Sequence, residues 1–407
     1  MTLIERVAPA LEPVDISDLS TSLGVSTWPP FAEEIVEFAA QFSRRLARRA
    51  GPVPELQALA YWMRRSAVAR LARDYKSLES PGLLMVPRGL VFHVPPANVD
   101  TMFVYSWMLS ALLGNRNIVR LPSKSTPATT VLIEVLRSLL DEPQHDSVRA
   151  TNVFVRYGHE REVTSALSAA CDLRVIWGGN ATVTAIRESS LPPHASDLTF
   201  PDRLSFALIK TVAYARLRSE VRDELATQFF NDSFWFDQLG CSSPRVLVWV
   251  GEPPAGEATD FYKRLLRSVQ AKGYSVDTAT ALSKIAYAHR SVLDHGVTRV
   301  TAPANELTVL ELGDPILESG DYSGAGTFLN AWVSSLNDLV PQITRKHQTA
   351  AHYGFRDREL RDFAVALNGR GIDRFVPFGE ALQFGRVWDG RDLLQEMSRR
   401  VVIQGQP

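Results

Sequence analysis

Cys241 is one of only two cysteines in 407 residues, and its setting is one that a nucleophile could use. The stretch ATQFFNDSFWFDQLGCSSPRVLVWV, residues 226–250, reads as the end of a helix, a Gly turn, the cysteine, a Ser-Ser-Pro turn and a buried strand. Gly240 opens backbone angles that other residues avoid, Pro244 stops the helix, and Arg245 to Val250 is a short β-rich run. A thiol on a tight loop between two packed elements can be presented accurately to a cleft. As the thiolate it would attack a carbonyl and carry the acyl group. The competing reading is that a lone Cys among apolar residues is simply small and buried. Cys171, between a helix and a strand, reads as structural. Phe229, Phe230, Phe234, Trp235 and Phe236 read first as core and second as the wall of an acyl tunnel.

Three strand-to-helix loops carry the other candidate groups. Asn98 follows the stiff Pro95-Pro96, and its amide suits either an oxyanion donor or a helix N-cap. The second loop runs Pro122-Ser123-Lys124-Ser125-Thr126-Pro127, just after Arg120, with no acidic residue. Backbone N–H groups at a helix start favour phosphate, and a base there favours a ribose 2′-phosphate, so Arg120, Ser123 and Lys124 lean toward NADPH. A solvated lysine is the plainer alternative. The third loop, Trp177-Gly178-Gly179-Asn180, could let backbone approach a pyrophosphate or nicotinamide, although GxGxxG is missing and Gly-Gly is common punctuation.

The elements that must position these loops follow from periodicity. Residues 1–30 read as irregular, followed by amphipathic helices through Phe31–Leu46 and Leu56–Leu71. From residue 82 strands and helices alternate, with strands at Leu83–Val86, Leu90–Val94, Asn117–Leu121, Asn152–Arg156, Leu173–Trp177 and Leu204–Ile209. Such β-α repetition predicts an α/β fold with a parallel sheet covered on both faces. A long helix is expected from about Ala213 to Phe236, then strands near Arg245–Val250, Leu307–Leu310 and Phe328–Val333. The predicted organisation is a helical N-terminal segment (1–80), a Rossmann-like NADP(H)-binding domain (81–220) and a domain carrying the cysteine (221–370). Residues 371–407 would pack back on the cofactor domain.

Composition sets limits. A net charge of −1 gives no case for nucleic acid, and 45% hydrophobic with 22% charged residues is ordinary for a globular protein. Two cysteines make no disulfide framework, which favours a cytoplasmic location. No apolar run reaches membrane-spanning length, and the eight histidines show no metal-site spacing.

In this order the segments resemble the aldehyde dehydrogenase superfamily, and more closely its LuxC-type acyl-CoA reductase branch, the reductase component of fatty acid reductase. PRGLVFHVPPANVD is similar to the strand leading to the family's oxyanion-hole asparagine, here Asn98. GNRNIVRLPSKST resembles the segment that cradles the adenosine ribose; Pro122 and Ser123 match, and Lys124 replaces a frequent Glu. VIWGGN is similar to the turn that places Gly179 near the cofactor, and FDQLGCSSPRVLVWV puts the nucleophile on Cys241. VIWGGNATVTAIRESSLPP, FNDSFWFDQLGCSSPR and GIDRFVPFGEALQFGRVWDGRDLL resemble the reductase branch specifically. Two segments depart from the superfamily pattern. DLTFPDRLS lacks the Glu that activates water in hydrolytic members, and SGAGT stands where a Glu-x-Phe-Gly-Pro motif grips the nicotinamide ribose.

The resemblance implies an aldehyde-dehydrogenase-like fold, NADPH-dependent reduction of a fatty acyl thioester to the aldehyde, and a homo-oligomer. The acyl donor would be acyl-CoA or an acyl-protein, the latter involving an acyl-protein synthetase. Asp197, Asp202 and water stand as candidates for proton transfer. The alternatives are a CoA-acylating aldehyde dehydrogenase running oxidatively and a non-catalytic acyl carrier or scaffold.

Overall fold

The computed structural model describes residues 3–10, 12–23, 28–51, 53–123, 125–317 and 322–405. The chain forms two compact units, one of residues 1–201 with 384–407 and one of residues 202–383. The first division therefore falls after Pro201, some way before the 220/221 boundary that the sequence suggests. The physical reason is the strand at residue 204, whose hydrogen bonds all go to the second unit's sheet. Residues 1–80 are likewise no separate segment, because their strands extend the first unit's sheet.

The first unit contains strands β1 (Leu3–Ala8), β2 (Glu12–Asp15), β3 (Leu83–Pro87), β4 (Leu90–Val94), β5 (Arg116–Leu121), β6 (Asn152–Arg156), β7 (Leu173–Trp177) and β8 (Ser196–Phe200). Its large sheet has the order β2-β1-β6-β5-β4-β7-β8. Strands β4 to β8 are parallel, and β1 runs antiparallel to both β6 and β2. So the first half of the region read as irregular is in fact a sheet edge. The helix Met102–Leu112 is buried along its whole length, and Trp107 packs on Phe154 of the sheet.

The second unit contains β9 (Leu204–Lys210), β10 (Pro244–Val250), β11 (Val297–Ala304), β12 (Leu307–Leu312), β13 (Thr327–Val333), β14 (His347–Tyr353) and β15 (Arg374–Pro377). Their order is β11-β12-β13-β10-β9-β14-β15, parallel except for β11. The long helix expected over 213–236 is broken into Thr211–Ala215 and Ser219–Ser233, and it ends before the loop that carries Cys241. Phe229, Phe230 and Phe234 belong to the core with Trp249, Phe261 and Phe328, so these rings are packing rather than a tunnel wall.

The chain then returns to the first unit with β16 (Val387–Trp388), β17 (Arg391–Asp392) and β18 (Ser398–Val402). Strand β18 pairs antiparallel with β3, and Phe384 and Trp388 pack on Tyr105, whose hydroxyl donates to the Gly385 carbonyl at 2.5 Å.

Asp197 has a structural task in this fold. It lies at the amino end of β8, and both its oxygens accept from the buried Arg174 guanidinium, at 2.7 and 2.9 Å. Arg174 also donates to Ser168 and to the carbonyls of Ile186 and Ser189, tying two helix ends to the sheet. This removes Asp197 from the candidates for proton transfer. Asp197→Ala strands that buried guanidinium and is expected to cost about 3 kcal/mol, measured by urea unfolding of the whole chain.

Candidate active site

In the first unit the parallel strands follow the chain order third, second, first, fourth, fifth (β6-β5-β4-β7-β8). The direction of winding reverses between β4 and β7, and an α/β sheet of this kind opens a ligand crevice at the carboxyl ends of the strands beside the reversal. The two loops leaving that point carry Asn98 and the Gly178-Gly179-Asn180 turn. Asn98 is exposed, and the N-cap of the following helix is Thr101, so the N-cap alternative for Asn98 falls. Gly178 N–H donates to the Phe200 carbonyl at 3.2 Å, and Trp177 stacks on Phe200 at 3.7 Å between centroids, which fixes the third loop to β8. Gly179 caps the helix Asn180–Arg187 without a side-chain hydrogen bond, and Asn180 is exposed at its first position. The strand reversal together with this uncapped helix start fits a dinucleotide.

The second loop is more committed than its composition suggests. Arg120 donates to the Gly158 carbonyl and lies over the Tyr157 ring, 4.6 Å from its centroid. The Pro122 carbonyl accepts from Arg156 at 3.2 Å, and Ser123 is exposed. At the start of the helix Pro127–Leu140, Thr126 and Thr129 donate to the Asp100 carboxylate at 2.7 and 2.8 Å. That carboxylate works against a phosphate at this helix end and leaves the exposed part of the loop for a sugar. Lys124 lies outside the described residues.

Cys241 is half-buried in the second unit, at the amino end of β10. The loop presenting it begins with three consecutive non-glycine residues in the left-handed region: Phe236 (φ 55°), Asp237 (φ 51°) and Gln238 (φ 64°). Each such residue costs roughly 1–3 kcal/mol, so the turn must be held from outside. The fully buried Gln238 side chain accepts from the Gly326 and Thr327 N–H groups, at 3.0 and 3.1 Å, and donates to the Pro244 carbonyl at 2.8 Å. The Asp237 carbonyl accepts from Ala325 N–H at 2.8 Å.

This geometry accounts for SGAGT. Gly324 (φ 67°) and Gly326 (φ 73°) adopt angles that favour glycine, and added Cβ atoms would lie 2.5 Å from the Asp237 carbonyl oxygen and 2.0 Å from that of Glu306. Small residues are needed here because the segment is packed against the turn.

Around the sulfur, Ser205 Oγ donates to the Cys241 carbonyl at 2.7 Å and accepts from Thr349 N–H at 3.2 Å. Gln348, on β14, turns its Nε2 toward Sγ at 3.7 Å. Its Oε1 accepts from Ser242 at 2.8 Å, which fixes the amide so that the N–H side faces the sulfur. A donor there favours the thiolate. Sequence reasoning missed Gln348, because no local pattern links it to Cys241. By contrast Cys171 is buried and its thiol is pushed up to about 12 by desolvation, which suits an inert role. Among the described residues no group of three or more His, Cys, Asp or Glu could hold a metal, and no helix is long and apolar enough to cross a membrane.

Residues 74–273 match the acyl-CoA reductase (LuxC) family. That segment is LuxC-type and the chain has the aldehyde dehydrogenase fold; the family match and the fold together support an aldehyde-related oxidoreductase. Solved aldehyde dehydrogenase structures share this fold at low identity. Aldehyde dehydrogenase 21 from Physcomitrella patens, in complex with its reaction product succinate, has 12% identity and a TM-score of 0.69, covering 99% of this chain and 94% of that one. A lactaldehyde dehydrogenase has 14% identity and a TM-score of 0.67, covering 100% and 96%. PnpE in complex with nicotinamide adenine dinucleotide has 13% identity and a TM-score of 0.64, covering 99% and 94%. No curated protein matches the sequence.

If the Gln348 amide supports the Cys241 thiolate, Gln348→Glu should raise the pH midpoint of Cys241 alkylation by iodoacetamide by about one unit or more. A negative charge beside the sulfur disfavours its ionised form, so the shift is upward.

Proposed function

We propose that the protein reduces a fatty acyl thioester to the aldehyde through an acyl group held on Cys241, with NADPH as reductant. The observation that carries this reading is the Cys241 loop itself: a half-buried thiol on a strained, externally held turn, with an amide donor directed at its sulfur. The thiolate attacks the thioester carbonyl, the carbon–sulfur bond to the donor breaks, and the departing thiolate takes a proton. A bound nicotinamide supplies hydride to the acyl carbon. The resulting hemithioacetal oxyanion collapses, releasing the aldehyde and restoring the Cys241 thiolate.

The chain's own groups would share the remaining work. Asn98 and the Cys241 N–H serve as the oxyanion donors. The crevice at the β4/β7 reversal takes the dinucleotide, with Gly178, Gly179 and Asn180 at the pyrophosphate or nicotinamide. Pro122 and Ser123 lie at the adenosine ribose, and Lys124, in the loop ahead of the helix end that Asp100 occupies, meets its 2′-phosphate through its own charge. Arg120, bonded to Gly158 and Tyr157, shapes that loop. The dinucleotide carried by PnpE supports a nicotinamide cofactor. The absence of a Glu from 197–205 supports reduction, because hydrolysis would waste the acyl-enzyme. The LuxC match supports acyl-CoA as donor, with an acyl-protein as the other form the acyl group could take.

Two experiments test the proposal. Cys241→Ala should abolish covalent labelling by radiolabelled acyl-CoA in the absence of NADPH; full labelling of the variant would remove the nucleophile assignment. Lys124→Glu should weaken NADPH by about tenfold relative to NADH, through loss of a 2′-phosphate partner and gain of repulsion. An unchanged ratio in fluorescence titrations would refute that role.

A further inference from the structure

Lys284 lies in the helix Thr278–Asp294, yet it is only 3% exposed, while Leu282, Ile285 and Leu293 of the same helix face solvent. Its ammonium donates to two backbone carbonyls, those of Asn305 and Ala325, each at 2.6 Å. Asn305 is in the turn between β11 and β12, and Ala325 is the middle residue of the SGAGT segment before β13. Burial lowers the amine's pKa to about 8, which measures how poorly this place suits a charge. An aliphatic side chain of the same length would fill the space without that desolvation cost. Packing alone therefore does not account for a lysine here. What the amine adds is direction, because two charge-assisted bonds fix where two loop carbonyls point.

One of those carbonyls leads to the nucleophile. Ala325 is a non-glycine residue at φ 50°, so its peptide orientation needs outside support. Its carbonyl accepts from Lys284, and its N–H donates to the carbonyl of Asp237, the central residue of the left-handed turn. The next two N–H groups, of Gly326 and Thr327, hold the Gln238 side chain. Lys284, Ala325 and Asp237 thus form a single relay of hydrogen bonds from a surface helix to the turn that presents Cys241.

We propose that Lys284 is a positioning residue for the reaction: it clamps the SGAGT segment, and through it sets the placement of the Cys241 sulfur. This rests on the reading of Cys241 as the nucleophile. The test compares wild type, Lys284→Met and Lys284→Gln by rapid-quench acylation with a long-chain acyl-CoA, with donor affinity and thermal midpoint measured alongside and the label mapped to its peptide. Well below its thermal midpoint, Lys284→Met should acylate roughly tenfold slower or worse with donor affinity unchanged. Lys284→Gln, which retains an N–H donor, should recover part of the rate. A purely structural lysine would move the thermal midpoint and leave the acylation rate of folded protein at the wild-type value, and that result would overturn the proposal. If the Met variant does not fold, the Gln variant decides by the same criterion: slowed acylation supports the clamp and a wild-type rate refutes it. Wild type labelled on Cys241 with an unaffected variant refutes the clamp alone. Wild type with no label on Cys241 refutes the nucleophile reading and the clamp together.

Discussion

The left-handed turn at residues 236–238 is the constraint on which the second unit's chemistry depends. Three consecutive L-residues do not hold such angles unaided, and here the compensation is specific. Gln238 satisfies three backbone groups with one side chain, while the carbonyl of Asp237 receives a fourth bond. The turn delivers the chain through Gly240 to Cys241 at the amino edge of a parallel sheet. That edge supplies Ser205 from one neighbouring strand and Gln348 from the next. The sulfur's surroundings are therefore built by pairing between distant strands.

The first unit solves a different problem with different means. Its sheet reverses winding between β4 and β7, the place where sheets of this kind open a ligand crevice. Beneath it the buried helix Met102–Leu112 and the Arg174–Asp197 network make a stiff platform. The C-terminal residues complete this unit, with β18 covering β3 and the rings of Phe384 and Trp388 on Tyr105.

Much of this architecture was legible in the sequence because it is periodic. Leu90–Val94, Asn152–Arg156 and Leu173–Trp177 are strands with the bounds their apolar runs suggest, and Thr126-Pro127 starts a helix as a cap and first-turn pair should. The turn chemistry around Gly240 and Pro244 correctly marks a loop before a strand. What escaped is non-local. Strand β2 is short and holds a proline, and β1 carries Glu5 and Arg6 among its apolar residues, so only their pairing in the sheet reveals them. Gln348 stands 107 residues from Cys241 and meets it only because β14 lies beside β9. Asp197 looked chemical for its type and position, whereas its partner Arg174 gives it a packing role. The SGAGT segment looked like a lost motif, and the distances show it is shaped to receive a strained turn.

In the proposed function one sulfur both receives the acyl group and yields it to hydride. A single-turnover experiment measures this directly: enzyme is acylated with a fatty acyl-CoA, freed of excess donor by rapid gel filtration, and mixed with NADPH in a stopped-flow instrument. One aldehyde should be released and one NADPH oxidised per acyl group carried on Cys241, with the thiol restored. An acylated enzyme that leaves NADPH unoxidised, or that releases the fatty acid in place of the aldehyde, would contradict it.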